Sequence, residues 1–393
     1  MKEVYLDHAA TSPLDLQVFE AMKPYLTEDF GNPSSFHTPG KKGKDAMDQA
    51  RETVAKILEA RASEIIFTSG GTESDNLAIL GAAWANQDQG KHIITTKFEH
   101  HAVLETIQYL EREQGFEVTY LTPDADGLIT AEQVMAAMRP NTILVSIMYA
   151  NNEIGTILPI AEIGKAIVKL RGEKARPVFH TDACQAPEYL DLSVEKLHVD
   201  LMTLNGGKIY GPKGVGVLYI RKGTKIKPIM HGGHQQKGLR PGTENVAGFV
   251  GMAKALEIAQ KNKQKESARL VKLRDQLMAG IQKRVPKTYI NGHAIKRLPN
   301  NVNLSFLDIE GEALVLYLDA QGIYASTGSA CTSASLDPSH VIVATGRPFE
   351  EAHGSLRFSL GRSTTEADIN YVLEKLPPLV EKLREISPVN LSK

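Results

Sequence analysis

Between residues 64 and 221, short β-rich runs alternate with amphipathic stretches, and this alternation limits the fold more than any other feature of the 393-residue sequence. The runs fall at 65–68, 92–95, 118–121, 143–147, 178–181, 201–204 and 215–220. Helical patterns occupy most of the gaps, including 102–114, 130–138 and 159–170, and Thr130 with Gln133 forms a capping box that marks one helix start. Strand–helix alternation of this kind predicts a mostly parallel sheet with helices on both faces. After residue 245 the pattern changes to a lysine-rich helical region at 246–285, whose Lys261, Lys263, Lys265 and Glu266 read as a solvated face. A strand at 301–306, a helix at 310–321, a strand at 355–359 and a final helix at 364–386 then predict a smaller α+β domain. The expected division is a large domain at 14–260 and a small domain built from 1–13 and 261–393.

Open α/β sheets bind ligands beyond the carboxyl ends of their strands, so the chemistry is sought there. The run at 65–68 leads into Ser69-Gly70-Gly71-Thr72-Glu73-Ser74 and a helical pattern at 75–86. Glycines before a helix N-terminus make a phosphate-type site, although an ordinary turn with a threonine cap reads equally well there. The run at 178–181 ends in Asp182-Ala183-Cys184-Gln185. A carboxylate at a buried strand end is costly unless it meets a cation. The run at 201–204 leads into Asn205-Gly206-Gly207-Lys208, which places a lysine between glycines for a Schiff base. Phosphate cup, strand-end acid and strand-end lysine together match the parts that pyridoxal 5′-phosphate requires. His100, after the run at 92–95, is placed to stack on a flat ring, or is an ordinary polar loop residue. His231-Gly232-Gly233-His234 and Asp124-Ala125-Asp126-Gly127 read as turns, because neither has the further ligands or spacing of a metal site.

Composition excludes several classes. Lys and Arg total 45 against 46 acidic residues, so no basic excess exists for nucleic acid. The N-terminal Met1-Lys2-Glu3-Val4-Tyr5-Leu6-Asp7 lacks the apolar core of a secretory signal, and no long apolar run predicts a membrane span. The expected location is the cytoplasm. Only Cys184 and Cys331 are present, without a C-x-x-C pair, which leaves no disulfide framework or dithiol motif. Cys184 beside a strand end reads as a packed residue. Cys331 lies in Ala325-Ser326-Thr327-Gly328-Ser329-Ala330-Cys331-Thr332-Ser333-Ala334-Ser335, too small and polar for a core, which predicts an exposed, mobile loop carrying a nucleophile.

These residues resemble the cysteine desulfurases of the NifS/IscS type, within the class V aminotransferase fold. The likeness covers nearly the whole chain. It runs through Tyr5-Leu6-Asp7-His8-Ala9-Ala10-Thr11, Gly31-Asn32-Pro33-Ser34-Ser35, the Gly71-Thr72 turn, Asn151-Asn152-Glu153-Ile154-Gly155, Arg240-Pro241-Gly242-Thr243-Glu244-Asn245 and Gly328-Ser329-Ala330-Cys331-Thr332-Ser333. The resemblance implies an α/β, aspartate aminotransferase-like transferase fold that binds pyridoxal phosphate and releases alanine from L-cysteine, holding the sulfur as a persulfide. It implies Lys208 as the cofactor lysine and general base, Cys331 as the nucleophile and His100 as the stacking ring. It pairs Asp182 with the pyridine nitrogen and Gln185 with the phenolic oxygen. Gly71, Thr72, Asn205 and the Gly207 backbone would meet the phosphate, joined by Thr243 from the second subunit of a homodimer. Asn152, Arg357 and Asn32 would bind the substrate, the arginine with a bidentate fork. No metal is implied. The sulfur acceptor is expected to be an iron–sulfur scaffold or a tRNA-thiolation protein.

One departure stands out. The family usually reads Ser-x-His-Lys at the cofactor lysine, where this chain has Asn205-Gly206-Gly207-Lys208, so at least one side-chain donor to the phosphate is lost. Weaker cofactor retention with preserved chemistry is the expectation. Selenocysteine lyase, a transaminase and a non-catalytic sulfur-assembly scaffold are the rival readings.

Overall fold

The computed structural model describes residues 2–172, 176–328 and 338–387. The strands, in chain order, are β1 (Val4–Tyr5), β2 (Ile65–Thr68), β3 (His92–Thr96), β4 (Glu117–Leu121), β5 (Thr142–Ser146), β6 (Val178–Asp182), β7 (Leu201–Asn205), β8 (Gly216–Ile220), β9 (Thr288–Ile290), β10 (Asn301–Phe306), β11 (Ile323–Tyr324) and β12 (Ser355–Ser359). Every run expected between residues 64 and 221 is a strand of one seven-stranded sheet, in the order β2-β8-β7-β6-β5-β3-β4. Neighbours pair in parallel except around β8, which is antiparallel to both β2 and β7. Six strands therefore run in one direction, and their carboxyl ends share one edge.

Period-two side-chain alternation explains why both faces are covered. Ile65 and Phe67 join one core with the helices Leu16–Thr27, Thr38–Leu58 and Ile160–Arg171. Ile66 faces the opposite core, which holds Leu77, Ile79 and Ala83 of the helix Gly71–Asn86 and Val103, Ile107 and Leu110 of the helix His101–Gln114. The capping box expected from Thr130 and Gln133 is present: Thr130 N donates to Gln133 Oε1 at 2.8 Å, and Gln133 N donates to Thr130 Oγ1 at 3.3 Å. The helix expected from residue 75 begins at Gly71 instead, because the whole Gly71-Thr72-Glu73 segment already turns helically after Gly70.

The lysine-rich region is one helix, Val246–Arg284, started by Asn245, whose Oδ1 accepts from Gly248 N at 3.0 Å. Its first half, through Ile258, packs on the large sheet, and Leu270, Leu277 and Ile281 of its second half enter a separate core. That second core lies on the antiparallel sheet β12-β10-β9 and takes in Leu6, the helix Gly311–Asp319 and the helix Glu366–Ile386. β1 pairs in parallel with β11, which ties the N-terminus to this second unit. Among the described residues, no helix is long and apolar enough to cross a membrane.

Candidate active site

Five strands of the large sheet deliver their following residues to one cleft of about 210 Å³. β2 brings Gly71 and Thr72, β3 brings His100, and β5 brings Met148, Ala150 and Asn152. β6 brings Asp182, Cys184 and Gln185, and β7 brings Asn205 and Lys208. The second unit closes the cleft with Arg357 of β12 and with Gly328, while Ala9 and Ala10 come from the N-terminal segment.

Each side chain is held by local structure. His100 caps the helix His101–Gln114, its Nδ1 accepting from Ala102 N at 3.0 Å, so the ring plane is set by the helix start. Burial lowers the His100 pKa, which keeps the ring neutral. Asp182 is the last residue of β6, and its Oδ1 accepts from Cys184 N at 2.8 Å. Gln185 Nε2 donates to the Ala9 carbonyl at 3.1 Å, and Lys208 Nζ donates to the Ala10 carbonyl. Arg357 is only 2% exposed. Its Nη2 donates to Asp7 Oδ1 at 2.8 Å and its Nη1 to the Asn152 carbonyl at 2.9 Å, whereas its buried Nε has no partner among the described residues.

The phosphate-type end of the cleft sits at the start of the helix Gly71–Asn86. Its cap residue is Gly70, and no side chain caps it, which excludes the threonine-cap alternative. The first N–H groups of such a helix lack intrahelical acceptors and carry partial positive charge. A Cβ at Gly71 would stand 2.8 Å from Cys184 Sγ and 3.5 Å from Asn205 Nδ2, so this cradle admits only glycine. Asn205 Oδ1 accepts from Gly207 N at 3.0 Å, capping the short turn Gly206–Lys208, and the same amide turns Nδ2 toward Gly71. Gly207 and Lys213 line the outer wall of this cup beside Thr72 and Gly71.

Three groups were not legible as site residues. Asp75, on the same helix as Thr72, lines the cleft and is fully buried. Burial, then the charge of Asp182, pushes its pKa well above the carboxylate range, so Asp75 keeps its proton. Behind it, His180 bonds Ser146 at 2.9 Å and Thr203 at 3.1 Å, and burial lowers its pKa to about 4. An acid two positions before the apolar run at 77–83 is the available signal. Glu99, next to His100, is also buried. Its Oε1 accepts from Thr96 Oγ1 at 2.8 Å and Met148 N at 3.0 Å, and burial pushes its pKa to about 8.

The cleft thus gathers Gly71, Thr72, His100, Asn152, Asp182, Gln185, Asn205, Lys208 and Arg357, with Gly207 in the adjoining cup. Asn32 lies elsewhere, exposed, its Oδ1 accepting from Ser34 N at 2.9 Å in a local turn. Thr243 is exposed and does not line this cleft. Cys331, and the loop expected around it, lie outside the described residues. Cys184, expected to be a packed residue, is a cleft-lining one. Burial, then Asp182, raises its thiol pKa well above normal, so it remains a protonated, weakly nucleophilic thiol.

An uncapped helix start cradled by glycine, a strand-end lysine and a facing strand-end acid fit pyridoxal phosphate, and Arg357 Nε, unpartnered among the described residues, offers a donor for an anionic substrate. Fold and site together define a pyridoxal phosphate-dependent enzyme with the aspartate aminotransferase-like fold. The chain belongs to the aminotransferase class-V family, whose pattern matches residues 4–372. It is 53% identical to a cysteine desulfurase IscS of Dictyoglomus turgidum over 98% of this chain and 97% of that protein. Among solved structures, a NifS-like protein superposes with a TM-score of 0.90 at 39% identity, covering 97% of this chain and all (100%) of that one. SspA in complex with cysteine superposes at 0.78 and 38% identity, covering 91% of this chain and 98% of that one.

Proposed function

We propose that the protein is a cysteine desulfurase that converts L-cysteine to L-alanine and retains the sulfur as a persulfide on Cys331. One observation carries the reading: the cleft that holds Lys208, Asp182, His100 and Arg357 also has Gly328 in its wall, three positions before Cys331. Three residues of chain span at most about 11 Å, so Cys331 follows the cleft wall at a short chain distance.

The division of labour follows from the side chains. Gly71, Thr72 and Asn205 Nδ2 would hold the cofactor phosphate, Asp182 would pair with the ring nitrogen, His100 would stack on the ring and Gln185 would meet the phenolic oxygen. Bound pyridoxal phosphate supplies an electron sink for the substrate Cα. Arg357 and Asn152 orient the substrate carboxylate, the arginine already braced by Asp7. Lys208 Nζ takes the proton from Cα and delivers it again within the site. The Cys331 thiolate then attacks the substrate sulfur. The new S–S bond forms as the Cβ–S bond breaks, and the carbon fragment keeps that electron pair and takes up protons to leave as alanine. Asp75 stays protonated beside Asp182, which spares the site a second buried charge.

Thr243 supports a homodimer, because its exposed position leaves it available to the cup of a second copy, and Asn32 is assigned to the substrate side on the same footing. We place the domain division within the helix Val246–Arg284, near residue 260, where its contacts pass from the large sheet to the small one. The acceptor is assigned to the iron–sulfur scaffold or tRNA-thiolation class, and the compartment to the cytoplasm, where unpaired cysteines stay reduced. The test is persulfide trapping after incubation of the cofactor-loaded protein with L-cysteine, resolved by mass at each cysteine. Cys331→Ala should abolish the protein persulfide and the reductant-dependent release of sulfide. A persulfide that survives this substitution overturns the reading.

A further inference from the structure

Lys208 reaches the cleft from a turn that is held under strain. Two residues after it, Tyr210 has a φ of 60°, in the left-handed region that bulky side chains rarely adopt. Such a residue persists only where its surroundings over-determine it. Tyr210 is buried, its carbonyl accepts from Asp15 N at 3.0 Å, and its N–H donates to Ser12 Oγ at 2.7 Å.

That serine arrives from 198 positions away and grips both sides of the lysine. While Ser12 Oγ accepts from Tyr210 N, it donates to the Gly207 carbonyl at 3.1 Å, and Ser12 N donates to the same carbonyl at 3.0 Å. One hydroxyl, used as donor and acceptor together, therefore bridges the residue before Lys208 and the second residue after it. Ser12 precedes Pro13, which disfavours helical backbone at residue 12 and favours an extended strip beside the turn. Two positions earlier on this strip, the Ala10 carbonyl accepts from Lys208 Nζ, so one segment holds the lysine at base and tip. Ser12 itself is 1% exposed and lines neither the cleft nor the cup.

We propose that Ser12 is a positioning residue that sets the backbone of Lys208 and, through it, the place where Nζ meets the cofactor aldehyde. The inference rests on the assignment of Lys208 as the cofactor lysine. Schiff-base formation adds Nζ to the aldehyde carbon and releases water, so it depends on where the amine stands. Without the hydroxyl, Gly207 keeps its bonds from Ser12 N and to Asn205 Oδ1, and the cup survives. The Tyr210 N–H instead loses its acceptor, which frees the strained side of the turn to relax.

The experiment titrates the cofactor-free parent chain, Ser12→Ala, Ser12→Cys and Ser12→Thr with pyridoxal 5′-phosphate and, separately, with pyridoxine 5′-phosphate, which has the same ring and phosphate but no aldehyde. Ser12→Ala should weaken pyridoxal phosphate binding about tenfold and leave pyridoxine phosphate within about twofold of the parent. In the loaded enzyme, kcat for alanine release should fall about 10- to 100-fold with KM for cysteine unchanged. Ser12→Cys, close in size and with a weakly bonding thiol, should shift the same way by less, and it decides the matter where the alanine variant does not fold. Ser12→Thr keeps the hydroxyl and should restore parent binding. Equal weakening of both ligands, or pyridoxal phosphate binding within about twofold of the parent in the alanine and cysteine variants, would overturn the proposal. Borohydride reduction followed by peptide mass locates the attached lysine. Attachment away from Lys208 in the parent chain overturns the functional reading and the proposal with it, whereas attachment at Lys208 with unchanged binding in the variants overturns the proposal alone.

Discussion

Replacing Gly207 by histidine tests the unusual phosphate cup directly. The position accepts a side chain: a Cβ there would meet Asn205 Oδ1 at 3.6 Å and Lys213 Cγ at 3.7 Å, ordinary contact distances. The backbone is held by its own N–H and carbonyl, whatever side chain residue 207 carries. Gly207 N donates to Asn205 Oδ1 at 3.0 Å, and the Gly207 carbonyl accepts from Ser12 N at 3.0 Å and Ser12 Oγ at 3.1 Å. Gly207→His should therefore fold normally and add one ring N–H to the wall beside Gly71, Thr72 and Asn205. A hydrogen bond to a charged acceptor is worth about 1.5–3 kcal/mol net, or roughly 10- to 150-fold in affinity. The cup opens to solvent, where screening favours the lower end, so about tenfold tighter cofactor binding is expected. Equilibrium dialysis of the cofactor-free protein against graded pyridoxal phosphate measures it, with thermal unfolding as the control for folding. An affinity within about twofold of the parent, with an unchanged unfolding midpoint, would show that the phosphate already has a full donor set and would refute the reasoning.

Two further substitutions probe the cleft and its support. Arg357→Lys replaces a fork engaged by Asp7 and the Asn152 carbonyl with a single ammonium, so kcat/KM for cysteine should fall about 10- to 100-fold, mostly through KM. Retention of parent KM would remove Arg357 from substrate binding. Glu99→Gln addresses pH. The folded-state pKa of about 8 lies above the ordinary 4.5, so the folded protein binds the extra proton and stability falls as pH rises between those values, levelling above about 8. The glutamine variant should match the parent in thermal unfolding near pH 5 and unfold a few degrees higher near pH 9. Parallel curves across that range would contradict the assignment of Glu99 as a neutral buried acid.

Much of the site could be read from residue order because strand-end residues need only a short chain segment to reach the sheet edge. Asp182 and Asn205 end their strands and Lys208 follows three residues later, so once the strands are parallel their convergence is unavoidable. Arg357 was legible only through the resemblance, since it arrives from the other unit and its buried setting depends on Asp7, 350 positions away. The helix starts four residues before the point that apolar periodicity marks, because Gly71 and Thr72 carry none of it. Asn32 shows the limit of transferring a motif to a single chain, since its side chain closes a local turn away from the cleft of its own chain.

By itself, the sequence determined the alternation that makes a parallel sheet, the second α+β unit, and the chemical types gathered at the strand ends, all of which depend on local periodicity and spacing. Only the tertiary structure decided that burial holds the proton on Asp75, which way the Asn205 amide faces, and that Arg357 meets Asp7. Those outcomes depend on burial and on distances of a few ångströms between groups far apart in the chain, because desolvation and hydrogen bonding act through space rather than along the backbone.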